Sequence, residues 1–257
     1  MTARSFVLIG DESLLVQCAG IVTERGNTIA AVVTASDAVT RWAEDAGLRV
    51  ERPGRDLAGR LAGLGFDWLL SIANLRLLPP GLLALPRLGA VNFHDGPLPA
   101  RAGLNTPVWA LIEGEAEHGI TWHMIESGVD TGDILVTRRF AITGADTGLT
   151  LNTKAFEAAL ESFPELLDQL EAGDLRRVPQ ETAGRRLHKR LDRPAGFGAL
   201  DFAQPAQALD RLVRALDHGG YRNPLALPKL RHAGRTVLVS ASRLTDGDAE
   251  PGTVLAA

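Results

Sequence analysis

Short apolar runs alternate with stretches of helical periodicity along the first two thirds of the chain. Ser5 to Ile9 is apolar and stops at Gly10, and Leu14 to Arg25 repeats apolar residues at helical spacing until Gly26 ends it. Ile29 to Val33 reads as a second strand, Ser36 to Ala46 as a helix with Asp37 in its first turn, and Leu48 to Val50 as a short strand. Leu57 to Leu64 (helix), Asp67 to Ile72 (buried strand), Pro80 to Leu85 (helical turn) and Ala90 to His94 (strand) continue the alternation. Thr106 to Glu113 then reads as a helix, and Ile120 to Ile125 and Ile134 to Phe140 as two more strands. Strand and helix alternating in this way predict an α/β domain, a mostly parallel sheet with helices on both faces.

Thr150 to Ala172 carries the clearest amphipathic stripe, Phe156, Leu160, Phe163, Leu167 and Leu170, with Gly173 just past its end. Leu175 to Arg193 is crowded with Arg176, Arg177, Arg185, Arg186, His188, Lys189 and Arg190 and reads as a linker. Beyond it come an amphipathic helix from Pro205 to Asp217, a hairpin over Lys229 to Ser240 turning at Ala233-Gly234, and the start of a strand at Pro251-Gly252-Thr253-Val254. The expected division is a catalytic domain over residues 1–185 and a small C-terminal domain with its linker over 186–257.

With 257 residues, 45% of them hydrophobic, the chain can bury a sizeable core. A net charge of -4 gives no bulk attraction to nucleic acid, although a local basic patch remains compatible with it. The single cysteine, Cys18, offers neither an internal disulfide nor a thiolate cluster for zinc, and sits among Leu14, Leu15, Ile21 and Val22 as core packing. No charged start leads into an apolar targeting segment and no apolar run approaches the ~20 residues of a membrane span, so a cytoplasmic location without membrane contact is expected.

Familiar chemical signatures fail. Gly10-Asp11-Glu12-Ser13 has one glycine and two carboxylates where a dinucleotide fold has G-x-G-x-x-G, and it would repel a pyrophosphate at the helix N-terminus. Gly54 to Arg60 spaces glycines like a phosphate loop but ends in Arg60-Leu61 instead of lysine and a hydroxyl residue. G-x-S-x-G, H-E-x-x-H and paired C-x-x-C are absent, and His118 and His123, five apart on one strand, face opposite ways, so no metal is expected.

What remains is Asn92, His94 and Asp130. Asn92 and His94 are two apart at the end of a strand and point to one side. Pro97 and Pro99 cannot continue a central strand, which ends where open α/β sheets hold their ligands. Asp130 lies in the Gly128-Val-Asp-Thr-Gly132 turn, placed to orient an imidazole and raise its basicity. An amide donor beside such a histidine suits acyl transfer, and with no serine or cysteine beside it the attacking group belongs to the substrate. The same residues could equally be a strand-end cap and an Asx-turn. The residues by themselves leave both readings open.

Asn92-Phe-His94, Pro97-Leu98-Pro99 with Gly103, His118-Gly-Ile-Thr and Gly128-Val-Asp130-Thr-Gly-Asp133-Ile resemble, in order and spacing, the formyltransferases that use 10-formyltetrahydrofolate. That family includes methionyl-tRNA, glycinamide ribonucleotide and sugar N-formyltransferases and the formylation domains that open some nonribosomal peptide or polyketide synthetases. The resemblance implies a Rossmann-like catalytic domain with a small OB-like C-terminal domain, here apparently incomplete, and places the catalytic residues on Asn92, His94 and Asp130. It places the folate between Ala73, Asn74, Leu75, Leu77 and Leu78 on one side and Ile125, Glu126, Gly128 and Val129 on the other.

Departures from the family narrow the acceptor. Gly96-Pro97-Leu98-Pro99 replaces the usual Ser-Leu-Leu-Pro, and Val33-Thr34 passes straight into Ala35-Ser-Asp37, where methionyl-tRNA formyltransferase carries a basic insertion. Since nucleic-acid affinity rests on cationic contacts to phosphate, this speaks against tRNA. The Asp-Gly-Pro-Leu-Pro variant looks most like the synthetase domains. The expected acceptor is an aminoacyl group on a carrier protein or a small-molecule amine in natural-product biosynthesis, such as nonribosomal peptide or antibiotic synthesis. A 10-formyltetrahydrofolate hydrolase and a non-catalytic folate-binding or docking module are the alternatives. The Arg185 to Arg193 cluster reads either as a solvated linker face or as a docking surface for an acidic carrier protein.

Overall fold

The computed structural model describes residues 3–181, 183–247, 250 and 253; the strand expected over 251–254 lies outside them except for Thr253. Its elements in chain order are β1 (Ser5–Ile9), α1 (Ser13–Glu24), β2 (Thr28–Val33), α2 (Asp37–Asp45), β3 (Val50–Glu51), α3 (Leu57–Leu61), β4 (Trp68–Ser71) and α4 (Pro80–Leu83). They continue with β5 (Gly89–His94), β6 (Arg101–Gly103), α5 (Thr106–Glu113), β7 (Glu117–Met124), β8 (Ile134–Ala141), α6 (Gly148–Ala172), β9 (Arg186–His188), α7 (Ala206–Ala215), β10 (Lys229–His232) and β11 (Arg235–Leu238). Two compact units emerge, one gathering residues 1–102, 119–139 and 155–186, the other residues 103–118, 140–154 and 187–257.

The first unit is built on a seven-stranded sheet of order β3-β2-β1-β4-β5-β7-β8. β1 is parallel to β2 and β4, β2 to β3 and β4 to β5, while β5 and β7 run antiparallel. The chain leaves β1 to one side for β2 and returns to the other for β4, so a crevice opens beyond the C-terminal ends of β1 and β4. Phe6, Val7, Leu8 and Ile9 are all buried, as a strand covered on both faces requires. On one face Val7, Ile9, Val33 and Leu69 pack with Leu57, Leu61, Phe66 and Leu82. On the other, residues 155–172 of α6 lie against the sheet: Trp122 Nε1 donates to Ser162 Oγ at 3.0 Å, Trp68 Nε1 donates to the Leu170 carbonyl at 3.2 Å, and the Trp122 ring meets Phe163 at 5.3 Å. The turn into α1 needs glycine, because a Cβ on Gly10 would fall 1.9 Å from the Ile72 carbonyl oxygen.

The main departures from the expected elements are short. β3 is shifted to Val50–Glu51, β7 begins three residues early at Glu117, and β9, within the stretch read as linker, pairs with β6 in a small separate sheet. Strands of two or three residues carry no readable period.

In the second unit Val108, Leu111, Leu151, Ala215, Leu216 and Leu225 form the core around α5 and α7. Trp109 stacks on His188 with centroids 4.4 Å apart. The β10–β11 hairpin turns at Ala233 and Gly234, whose φ values of 47° and 74° match the left-handed pair of a two-residue turn. No helix among the described residues is long and apolar enough to cross a membrane.

Candidate functional site

β5 ends with Asn92 and His94, and its antiparallel register sets Asn92 opposite His123 and His94 opposite Thr121. Alternation along both strands puts all four on one face of the sheet. Thr121 Oγ1 donates to the Gly96 carbonyl at 2.8 Å and accepts from Leu98 N–H at 3.0 Å, pinning the Gly96-Pro97-Leu98 loop against β7.

The ring nitrogens can be assigned from their partners. His94 Nε2 lies 2.7 Å from the Arg101 carbonyl oxygen, which only accepts, so Nε2 carries the proton. His94 Nδ1 faces Asp130 Oδ2 at 3.7 Å and Asp95 Oδ1 at 3.8 Å. His123 donates from Nδ1 to the Met124 carbonyl at 2.7 Å, leaving Nε2 to accept from Asn92 Nδ2 at 3.2 Å. His123 Nε2 is also 3.6 Å from Asp130 Oδ1. The Asp130 carboxylate is thus bracketed by two buried imidazoles, each about half an ångström beyond hydrogen-bond reach. In their neutral forms both present a lone pair to it.

Asn92, His94 and Asp130, nearly forty residues apart at the extremes, therefore converge. The spacing of His118 and His123 pairs His123 with no partner in this cluster, and the His118 ring packs on Phe140 at 5.8 Å. The usable signal for His123 was its two-residue spacing from Thr121, matching that of Asn92 and His94. Among the described residues no cluster of three histidine, cysteine or acidic side chains could hold a metal ion.

The residues expected to hold the donor lie in the loop after β4 and in the turn after β7. Ala73 takes φ 50°, and Asn74 donates from Nδ2 to the Arg76 carbonyl at 3.0 Å and accepts from Arg76 N–H at 3.1 Å. Leu75 and Leu77 are 81% and 83% exposed, an outlay of apolar surface that a bound ligand would cover. Leu77 and Leu78 line a pocket of about 90 Å³ with Ile9, Val33 and Leu57 and with the polar Asn74 and Arg76. After β7, Ile125 is half-buried against the same core cluster, and Glu126, Gly128 and Val129 are exposed. Arg76 reaches back to Asp11, Nη1 to Oδ2 2.6 Å. Burial opposes ionisation of Asp11, but the Ala35 N–H and Arg76 outweigh it and hold the carboxyl below its usual range.

Comparison with known proteins decides the family. The Formyl transferase family model matches residues 11–167, more than half of the chain. The chain belongs to the formyl transferase family. It is 32% identical over 236 residues to the methionyl-tRNA formyltransferase of Myxococcus xanthus (strain DK1622), covering 90% of this chain and 72% of that protein. Against the methionyl-tRNA formyltransferase of Synechococcus sp. (strain JA-3-3Ab) identity is 35% over 174 residues, 66% of this chain and 53% of that protein, so the match spans about half of that relative's length. A 4-N formyltransferase from Francisella tularensis shares the fold, with a TM-score of 0.77 at 17% identity over 95% of this chain and 98% of that one. The family match and the motifs agree on a formyltransferase.

Proposed function

We propose that the protein transfers the formyl group of 10-formyltetrahydrofolate to an amine, with Asn92, His94 and Asp130 as the catalytic residues. The carrying observation is the convergence of an amide donor, an imidazole lone pair and a carboxylate: Asn92 Nδ2 on His123 and His94 Nδ1 facing Asp130 at 3.7 Å. The amine nitrogen attacks the formyl carbon and a tetrahedral oxyanion forms. One N–H of Asn92 is spent on His123, and the other is available to the oxyanion. The proton shed by the amine passes to His94 Nδ1, where Asp130 and Asp95 stabilise the imidazolium and the Arg101 carbonyl holds its Nε2–H. Collapse of the intermediate breaks the bond to the folate N10, which takes that proton and leaves as tetrahydrofolate. No metal enters the scheme. The folate rests between the 73–78 loop and the 125–129 turn, against Leu75 and Leu77.

The acceptor we favour is an aminoacyl group on a carrier protein or a small amine, acting in the cytoplasm. Supporting it, the β2–α2 connection is only Thr34 to Ser36, and its Thr34 hydroxyl and Ala35 N–H are bonded to Asp11, leaving no cationic loop for phosphate. A tRNA acceptor is the second reading, favoured by the names of the curated relatives. The test is loss of the formyl donor in the presence of aminoacylated carriers, free amines, amino sugars and initiator tRNA in turn. Formate release without any amine would mark a hydrolase, and folate affinity without turnover a binding module; either refutes the transferase reading.

A further inference from the structure

The stretch from Arg177 to Arg186 looks like a basic linker in the sequence, yet it is laced to the turn that carries Asp130. Val178 and Ile134 exchange both backbone hydrogen bonds, at 2.8 and 2.9 Å, and Arg177 Nε lies 3.5 Å from Asp133 Oδ2. Gln180 Nε2 donates to the carbonyls of Asp130, at 3.1 Å, and Gly132, at 2.6 Å, and Arg185 Nη2 donates to the carbonyl of Val129. One residue later Arg186 N–H donates to the Ala100 carbonyl at 3.0 Å, next to the Arg101 carbonyl on which His94 rests.

The turn needs holding. Asp130 has a φ of 50°, a left-handed conformation that a non-glycine residue rarely adopts. Glycines close the turn on either side: a Cβ on Gly132 would lie 2.0 Å from the Met124 carbonyl oxygen, and one on Gly128 would displace the Thr131 side chain, 2.4 Å from its Oγ1. The carbonyls of residues 129 and 130 lie in the two peptide planes that flank Asp130 and so fix the direction of its Cα–Cβ bond, and that of residue 132 anchors the end of the turn. All three are taken by Gln180 and Arg185. The amide of Gln180 is committed by its donor end, since its Oε1 is buried with no hydrogen-bond partner among the described residues; Arg185 Nε is buried in the same state. Orphaned buried polar atoms are uncommon and call for a reason.

We infer that Gln180 and Arg185 are positioning residues for catalysis, a donor clamp on the 129–132 carbonyls that aims the Asp130 carboxylate between His94 and His123. This rests on the formyl-transfer reading and assigns Arg185 an inward structural duty, separate from any docking by the rest of the Arg185–Arg193 cluster.

The experiment is a cycle between the clamp and Asp130. Gln180→Ala and Arg185→Met should each lower kcat ten- to a hundredfold at saturating folate and acceptor. In the Asp130→Ala background, Gln180→Ala should change kcat by less than twofold, because its effect runs through Asp130. Gln180→Glu keeps the shape but turns an acceptor toward two carbonyls, and should be at least as damaging as alanine; a space-filling role predicts near wild-type activity instead. A Gln180→Ala enzyme within twofold of wild-type kcat, or effects that multiply in the double variant, overturns the clamp. If Gln180→Ala does not fold, the Arg185→Met cycle decides by the same criteria. Amide exchange over residues 126–133 reads the turn independently of turnover: it should rise in either clamp variant, and unchanged protection overturns the inference even if the wild type proves inactive, a result that would separately refute the transferase.

Discussion

Replacing Asp130 with asparagine isolates its charge from its shape. Asparagine is among the few side chains that accept a left-handed backbone, so the turn at φ 50° should survive, and the thermal midpoint should move by no more than a few degrees. What changes is the fate of the transferred proton. A unit charge 3.7 Å from an imidazolium is worth roughly 4 kcal/mol at an effective dielectric near 20. Water entering the gap and Asp95, still 3.8 Å away, reduce the net loss to about 3 kcal/mol. The new amide can also donate to the lone pair on His94 Nδ1 or His123 Nε2, occupying the position the proton must take.

At about 1.4 kcal/mol per decade, kcat should fall roughly a hundredfold. The loss belongs to the transition state, so folate affinity, followed by equilibrium titration, should be unchanged. Saturating donor and acceptor with single-turnover quenching would measure the chemical step itself. Asp130→Ala should be at least as slow. A variant that keeps a third of wild-type kcat, or one whose rate loss is matched by an equal loss of folate affinity, would refute the charge argument.

Three further outcomes follow from other parts of the molecule. His123→Ala removes the acceptor that orients Asn92, a hydrogen bond worth about 1 kcal/mol, and should lower kcat roughly five- to tenfold with little change in KM; unaltered kcat would show that Asn92 needs no such support. Burial holds His218 neutral and lowers its pKa from 6.5, with Asn223 Nδ2 3.2 Å from its Nδ1. The unfolded chain therefore binds this proton more readily, and its contribution should make stability fall as pH drops below about 6.5, levelling off below the folded pKa. His218→Gln should flatten that part of the urea-midpoint curve between pH 7 and 5; an unchanged slope would refute the assignment. Burial pushes the Cys18 thiol far up, so alkylation of the native protein should be undetectable and become complete only in denaturant.

How much of this was legible in the sequence depended on whether the signal was local. β1, β2, β4 and β5 announce themselves as apolar runs, and α7 by one apolar face, because burial on a sheet or against a helix imposes a period on neighbouring residues. The pairing of Asn92 and His94 was likewise local, two residues on one strand. His123 was hidden because its role comes from the antiparallel register of β5 against β7, which sets it opposite Asn92 across thirty-one residues of chain. Nothing in the spacing of His118 and His123 reports that register. Gln180 and Arg185 were hidden for a different reason. Their side chains bond to main-chain carbonyls of the Asp130 turn, and a carbonyl leaves no trace in residue identity. A basic stretch with no apolar period accordingly reads as solvated surface even where its side chains bond to the main chain of a distant turn. Side chains that recognise chemistry can thus be found from their types, whereas those that recognise backbone geometry emerge only once the fold has placed that backbone beside them.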